Sequence, residues 1–193
     1  MGRVIIGAVA AAVAMFVVGF LFFATPLYKI GSSTLGNAEA AAVQQALAAN
    51  LPATGTYFVP GADTPEKTVM YGQGPVATVH YNIGGFSVAD PATLIGGLVF
   101  EFVIALLIGL ALLAVADRVH DFASRARLVV VFSVAAAAFI HLGEPIWYHH
   151  DWRHAIYVFI GNAATLVVGG LIIARWFLGG VRQRVAVDPP TDV

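Results

Sequence analysis

Four long apolar blocks alternate with polar segments along the chain. They run from Val4 to Ala24, from Ala92 to Ala116, from Leu128 to Leu142 with an extension through Pro145 to Trp147, and from Ala155 to Leu178. About twenty residues at ~1.5 Å rise cover a ~30 Å hydrocarbon layer, so each block predicts a membrane-crossing helix. Asp90-Pro91 opens the second block as N-cap and first helical residue. A cleaved signal peptide is the rival reading of the first block. The apolar stretch is longer than the usual core of such a peptide, and "FFATPLYKIG" is a poor cleavage site, so an uncleaved anchor is expected.

The polar segment between the first two blocks is too long and too patterned for a linker. "NAEAAAVQQALAANLP" predicts a helix capped at Asn37 and stopped by Asn50 and Pro52. "GTYFVPG" predicts a short strand, and "KTVMYGQGPVATVHYNIGG" predicts two strands around a Gly-Gln-Gly-Pro turn. "GADTPEK" reads as a loop, and the loose alternation of Val76 to Tyr81 gives a strand face able to pack on the helix. The expected fold is an all-α membrane protein: a four-helix transmembrane bundle with a small α+β periplasmic insertion between helices 1 and 2. Its parts are residues 1–26 as the first span, 27–91 as the cap, 92–178 as spans two to four, and 179–193 as a cytoplasmic tail.

Composition agrees with the pattern. Of 193 residues, 59% are hydrophobic and 11% charged, too few charges to cover a soluble domain of this length. Net charge is −1, which argues against nucleic acid as a partner. The absence of cysteine excludes disulfides, Cys-ligated iron–sulfur clusters and covalently attached haem. Charge also orients the chain. Arg3, Arg118, Arg125, Arg127, Arg175, Arg182 and Arg184 fall on one side of four spans, leaving Lys29, Lys67 and Arg153 for the other. The positive-inside rule then puts both termini in the cytoplasm and residues 27–91 in the periplasm of a bacterial inner membrane.

Glu101 is the sharpest polar feature inside a span. A carboxylate at the centre of a membrane helix costs ~2.5–3.5 kcal/mol on insertion scales, so it should face the bundle. It sits in a stripe that recurs every four residues, Thr93, Gly97, Glu101, Ala105 and Gly109, the small-residue pattern of close helix packing; Gly7, Ala11, Met15 and Gly19 repeat that spacing in the first span. Counting rise from the outer ends brings Glu101, His141 and Asn162 to similar depth, where they can meet as a carboxylate–imidazole–amide cluster. Such a cluster serves either as a hydrogen-bonded pin of helix register, as a proton or ligand path, or as part of a metal or haem site.

"GEPIWYHHDWRH", Gly143 to His154, holds three histidines, two carboxylates and three aromatics. Glu144, His149, His150, Asp151 and His154 are candidate ligands for a divalent metal, since imidazole and carboxylate suit Zn²⁺ or Cu²⁺. Against this, neighbouring His149 and His150 project differently on any regular backbone, and no His-Glu-x-x-His spacing is present. A b-type haem is disfavoured because only His141 lies within a span. Trp147, Tyr148 and Trp152 suit the aromatic belt where a span meets headgroups, which makes an interfacial rim the leading reading.

"LAANLPATGTYFVPG" resembles a segment of an uncharacterised family of four-span bacterial inner-membrane proteins. These carry a helix followed by Gly-x-Tyr-Phe-x-Pro-Gly in the periplasm and an aromatic cluster between the last two spans, so the resemblance covers most of the chain. The family pattern has Trp, Asn and Tyr where this chain has Trp147, Tyr148, His149 and His150, which weakens a ligand role for the histidine pair. The resemblance implies no activity. The chain also lacks nucleotide-binding glycine loops, a Gly-x-Ser-x-Gly elbow and internal repeats. The expectation is a non-catalytic accessory, assembly or scaffold subunit embedded in the lipid bilayer with a membrane-protein partner or a second copy. The alternatives are a metal-binding or redox protein using the His/Glu segment, and a proton-coupled channel or carrier.

Overall fold

Four helices long and apolar enough to cross a membrane dominate the computed structural model, which describes residues 2–178. The expected tail 179–193, with Arg182 and Arg184, lies outside the described residues. In chain order the elements are α1 (Gly2–Phe23), α2 (Asn37–Asn50), β1 (Gly55–Val59), α3 (Pro65–Gln73), β2 (Ala77–Tyr81), α4 (Pro91–Ala114), α5 (Phe122–His141), α6 (Glu144–Tyr148) and α7 (Trp152–Ile172). A 3₁₀ turn over Pro26–Ile30 follows α1, and a π turn over Ile173–Phe177 continues α7. The chain is a multi-pass membrane protein whose candidate spans are α1, α4, α5 extended through α6, and α7 with its π turn.

Packing places α1 at the centre. It contacts α4 on one side and α7 on the other, and α5 packs on α7. Small side chains make this possible. Ala8, Ala11, Ala12 and Met15 of α1 are fully or almost fully buried, and Gly169 of α7 lies directly against the Met15 side chain. A Cβ on Gly109 of α4 would come within 2.8 Å of Val4, and one on Gly170 of α7 within 2.5 Å of Val129 on α5. Both expected stripes therefore act as contact faces, through Gly7, Ala11 and Met15 on α1 and Ala105 and Gly109 on α4. Gly19, with open space around it, and the exposed Thr93 lie outside these contacts. The outward faces carry large apolar side chains such as Ile6, Val13, Phe100 and Phe139, as contact with hydrocarbon requires.

Helix starts follow local chemistry. The Asp90 carboxylate accepts from Ala92 N, Thr93 N and Thr93 Oγ1, so the Asp-Pro start of α4 is as expected. The third span begins earlier than hydropathy indicates, at Phe122, because Asp121 accepts from Ser124 N at 2.8 Å and caps it. Arg125 and Arg127 thus belong to a helix rather than to a loop, and Arg125 is buried.

The cap departs from expectation in three places. Its first helix starts at Asn37 itself, with Gly36 as a cap lacking any side-chain bond. The segment expected as the first of two later strands is helix α3. Thr64 accepts from Lys67 N, Pro65 stands at the first helical position, and Lys67 pairs with Asp63 at 3.0 Å, so "DTPEK" is a helix start. The Lys67 ammonium beside Asp63 holds that carboxyl below its ordinary range. β1 and β2 pair antiparallel with Gly55 opposite Tyr81 and Val59 opposite Ala77. α2 has no buried residue. Instead of packing closely on it, β2 shares with it an open cavity of about 870 Å³.

Candidate functional site

The polar groups concentrate where α5, α6 and α7 meet the cap. The span of α5 ends at His141, and Pro145 turns the chain into the single-turn α6, which stops when His149 takes a left-handed conformation at φ 57°. Asp151 then caps α7, its Oδ1 accepting from Arg153 N at 3.1 Å and its Oδ2 from His154 N at 3.3 Å. This sharp helix–turn–helix aims successive side chains in different directions.

Within the bundle Asn162 Nδ2 donates to His141 Nε2 at 2.7 Å, which requires the ring proton on Nδ1. This joins α5 to α7. Tyr157, buried on α7, donates its hydroxyl to the Phe22 carbonyl at the end of α1 at 2.6 Å, and its ring packs among Phe22 and Phe23. The 3₁₀ turn is held next. His154 Nδ1 donates to the Gly31 carbonyl at 3.1 Å, Arg153 donates to Ser33 Oγ at 3.2 Å, and a Cβ on Gly31 would collide with the Tyr157 ring.

The hairpin is fastened by α6 and the residue pair after it. Alternation along the strands puts Thr56 and Phe58 of β1 on one face with Thr78 and His80 of β2, where Thr56 Oγ1 and His80 Nδ1 share a hydrogen bond of 3.1 Å. From that face Phe58 stacks on Tyr148 with ring centres 5.9 Å apart and planes at 16°. Thr78 Oγ1 lies 3.1 Å from His150 Nε2, and His150 Nδ1 lies 3.4 Å from Glu144 Oε2. A neutral ring protonated on Nδ1 satisfies both contacts, donating to Glu144 and accepting from Thr78. His149 lies against Tyr71 of α3 at 6.4 Å.

The expected cluster of Glu101, His141 and Asn162 is therefore brought together only in part. His141 and Asn162 bond directly, and Glu101 does not join them. Gly97 against Phe16 and Gly109 against Val4 set the antiparallel register of α4 on α1, which puts Glu101 opposite Ala12. With α1 between α4 and α7, equal depth does not give contact. Glu101 makes no side-chain hydrogen bond among the described residues.

The metal set is divided in the same way. Among the described residues no three His, Asp or Glu side chains converge as metal ligands. Glu144 and His150 meet, but His149 turns toward α3, Asp151 is engaged as a helix cap, and His154 binds Gly31. The turn at His149 and the cap at Asp151 thus keep the five candidate ligands from meeting as one set. Trp147 and Trp152 are 77% and 51% exposed, as belt residues should be.

Thr78, Phe58, Tyr157 and Gly31 were missed from sequence. Only Tyr157, a hydroxyl-bearing residue inside an apolar block, carried a signal, since a buried phenol needs an acceptor. No family model matches the chain, and neither does any curated protein or solved structure.

Proposed function

We propose that the protein is a non-catalytic accessory, assembly or scaffold subunit of a larger complex in a bacterial inner membrane, with the cap as its docking part. The observation that carries this reading is the use made of the outer polar residues. His141, Glu144, His150, Asp151 and His154 pair with Asn162, with one another, with the helix start or with the cap. They hold an extramembrane segment on helix ends, and no nucleophile–base pair or ligand set is left among them. α2 adds support: fourteen residues with no buried side chain leave a helix free for a partner.

In this reading residues 27–91 face the periplasm. Support comes from Arg3, Arg118, Arg125, Arg127 and Arg175, which gather at the end opposite the cap, where Arg175 lies over the Phe122 ring at 5.5 Å.

The test is purification of the tagged full chain from native membranes in a mild detergent, followed by mass spectrometry of co-purifying proteins and elemental analysis. A stoichiometric partner is expected, lost when α2 carries charged substitutions at Val43 and Leu47. A monomer that contains a stoichiometric transition metal would refute the proposal.

A further inference from the structure

Between the cap and α4 runs the loop 82–89, "NIGGFSVA", which carries no charged residue. It leaves the cap at Ile83, whose amide donates to Thr54 Oγ1 at 3.2 Å and which lines the cavity beside α2. It reaches the span at Asp90, the N-cap of α4. Between these ends little covers it. Phe86 is 76% exposed and Val88 is fully exposed. A Cβ on Gly85 would meet no atom within 4 Å among the described residues. The amides of Gly84 and Ala89 donate to Asn82 Oδ1 and Ser87 Oγ inside the loop, so these bonds tie it to nothing else. Two large apolar side chains on an uncharged, uncovered segment mark a contact with another apolar medium.

α4 decides which medium that is. It packs chiefly on α1, and its first six residues, Pro91 to Gly96, are all exposed. Gly96 has open space where a Cβ would stand. The cap end of α4 therefore stands at the perimeter of the bundle, where Leu94 and Ile95 already face lipid. The loop continues that lipid-facing surface. The 24 residues of α4 make ~36 Å at ~1.5 Å rise, against a ~30 Å hydrocarbon core, so Asp90 emerges among the headgroups. At ~3.5 Å per residue Val88 lies within ~7 Å of Asp90 and Phe86 within ~14 Å. The bilayer surface is within reach of both.

We propose that this loop attaches the cap to the lipid surface, with Phe86 and Val88 inserted at the boundary between headgroups and acyl chains of the leaflet on the cap side. Its backbone stays among hydrated headgroups, because irregular backbone exposed to lipid is not tolerated deeper. The side chains sink ~5–10 Å, as the apolar faces of other interfacial segments do. With no charge of its own the loop recognises the bilayer surface and no particular headgroup. The cap is then held on two flanks, by α6 and α7 through polar and aromatic contacts and by lipid beside α4. The proposal uses only a membrane-crossing α4 and does not depend on the scaffold reading.

The chain has no cysteine, so single nitroxide labels can be placed at will. The test puts one at Gly85→Cys, which keeps Phe86 and Val88, in the full chain in phosphatidylcholine vesicles. Collisions with oxygen, which concentrates in hydrocarbon, are compared with those of a water-soluble nickel complex. Gln45→Cys on α2 and Val99→Cys on α4, both exposed, are the aqueous and hydrocarbon references. The oxygen-to-nickel ratio at Gly85 should lie between the two and several-fold above that at Gln45. Adding Phe86→Ser and Val88→Ser should bring it down to the Gln45 value with the helical circular dichroism intact. An aqueous ratio with Phe86 and Val88 in place would overturn the proposal. So would few collisions with either reagent, which would mean that protein covers the loop, or a ratio unmoved by the two serines.

Discussion

If His150 fastens the hairpin, removing its ring should loosen the cap and leave the bundle intact. His150→Ala deletes the contact with Thr78 at 3.1 Å and the longer one with Glu144 at 3.4 Å. A neutral hydrogen bond contributes ~0.5–1.5 kcal/mol net, and the side chains of His150 and Glu144 are 29% and 45% exposed, which favours the lower part of that range. The Thr78 bond dominates, so its coupling to His150 should be ~0.5–1 kcal/mol, or a two- to fivefold rise in hairpin opening. Hydrogen exchange in micelles, read on peptides covering 55–59 and 77–81 against peptides from α1 and α7, measures this directly. Thr78→Val should give a similar rise, and the double variant little more than either alone. Fully additive effects, or loss of protection in the bundle with none in the hairpin, would refute the seam.

Four other perturbations test the remaining contacts. Asn162→Leu leaves His141 Nε2 without its donor and should lower unfolding free energy in mixed micelles by ~0.6–1.7 kcal/mol, the range found for polar pairs between membrane helices. Gly170→Ala places a methyl against the stiff Val129 side chain and should cost ~1–3 kcal/mol, with much of the loss recovered in the Val129→Ala background. Glu101→Leu should raise stability by ~1 kcal/mol or more, because the carboxylate has no hydrogen-bond partner to lose among the described residues; a fall would mean that it is paired. Hydrogen bonds from Thr93 hold the Asp90 carboxyl below its ordinary value of 3.8. Its stabilisation of the α4 start is therefore complete above that value and is lost as pH falls through the lowered one, whereas Asp90→Asn should show no such step in the Thr93 amide shift.

The spans were legible because hydropathy and length are properties of consecutive residues. Ala92 to Ala116 needed only its own sequence, and Asp90-Pro91 marked its start to within a residue. Neighbour relations are a different kind of information. Glu101, His141 and Asn162 have matched depths, but depth says nothing of the order of helices around the bundle, and α1 stands between α4 and α7. The later half of the cap failed for a local reason. Thr68, Val69 and Tyr71 favour a strand, yet the Thr64–Lys67 cap and the Asp63–Lys67 pair decide for helix, and those signals lie in residues read as loop. In the His-rich segment the rim reading was available from Trp147 and Trp152. The partners of His150 and His154 were not, because Thr78 and Gly31 lie 72 and 123 residues away.

α7 connects these observations. It packs on α1 and α5 within the membrane, and its first two turns hold the segment after α1 through Arg153, His154 and Tyr157. The turn that feeds it carries the hairpin through His150, and α6 carries it through Tyr148. A force on the cap is thus delivered to α7 and its neighbours α1 and α5, whereas α4 touches this path mainly through α1. The polar groups at the two ends differ accordingly. At the cap end they are matched within the chain, and their substitution should change how the cap is held. At the arginine end the buried Arg125 donates to the Val119 carbonyl, so its substitution should loosen the loop that joins α4 to α5.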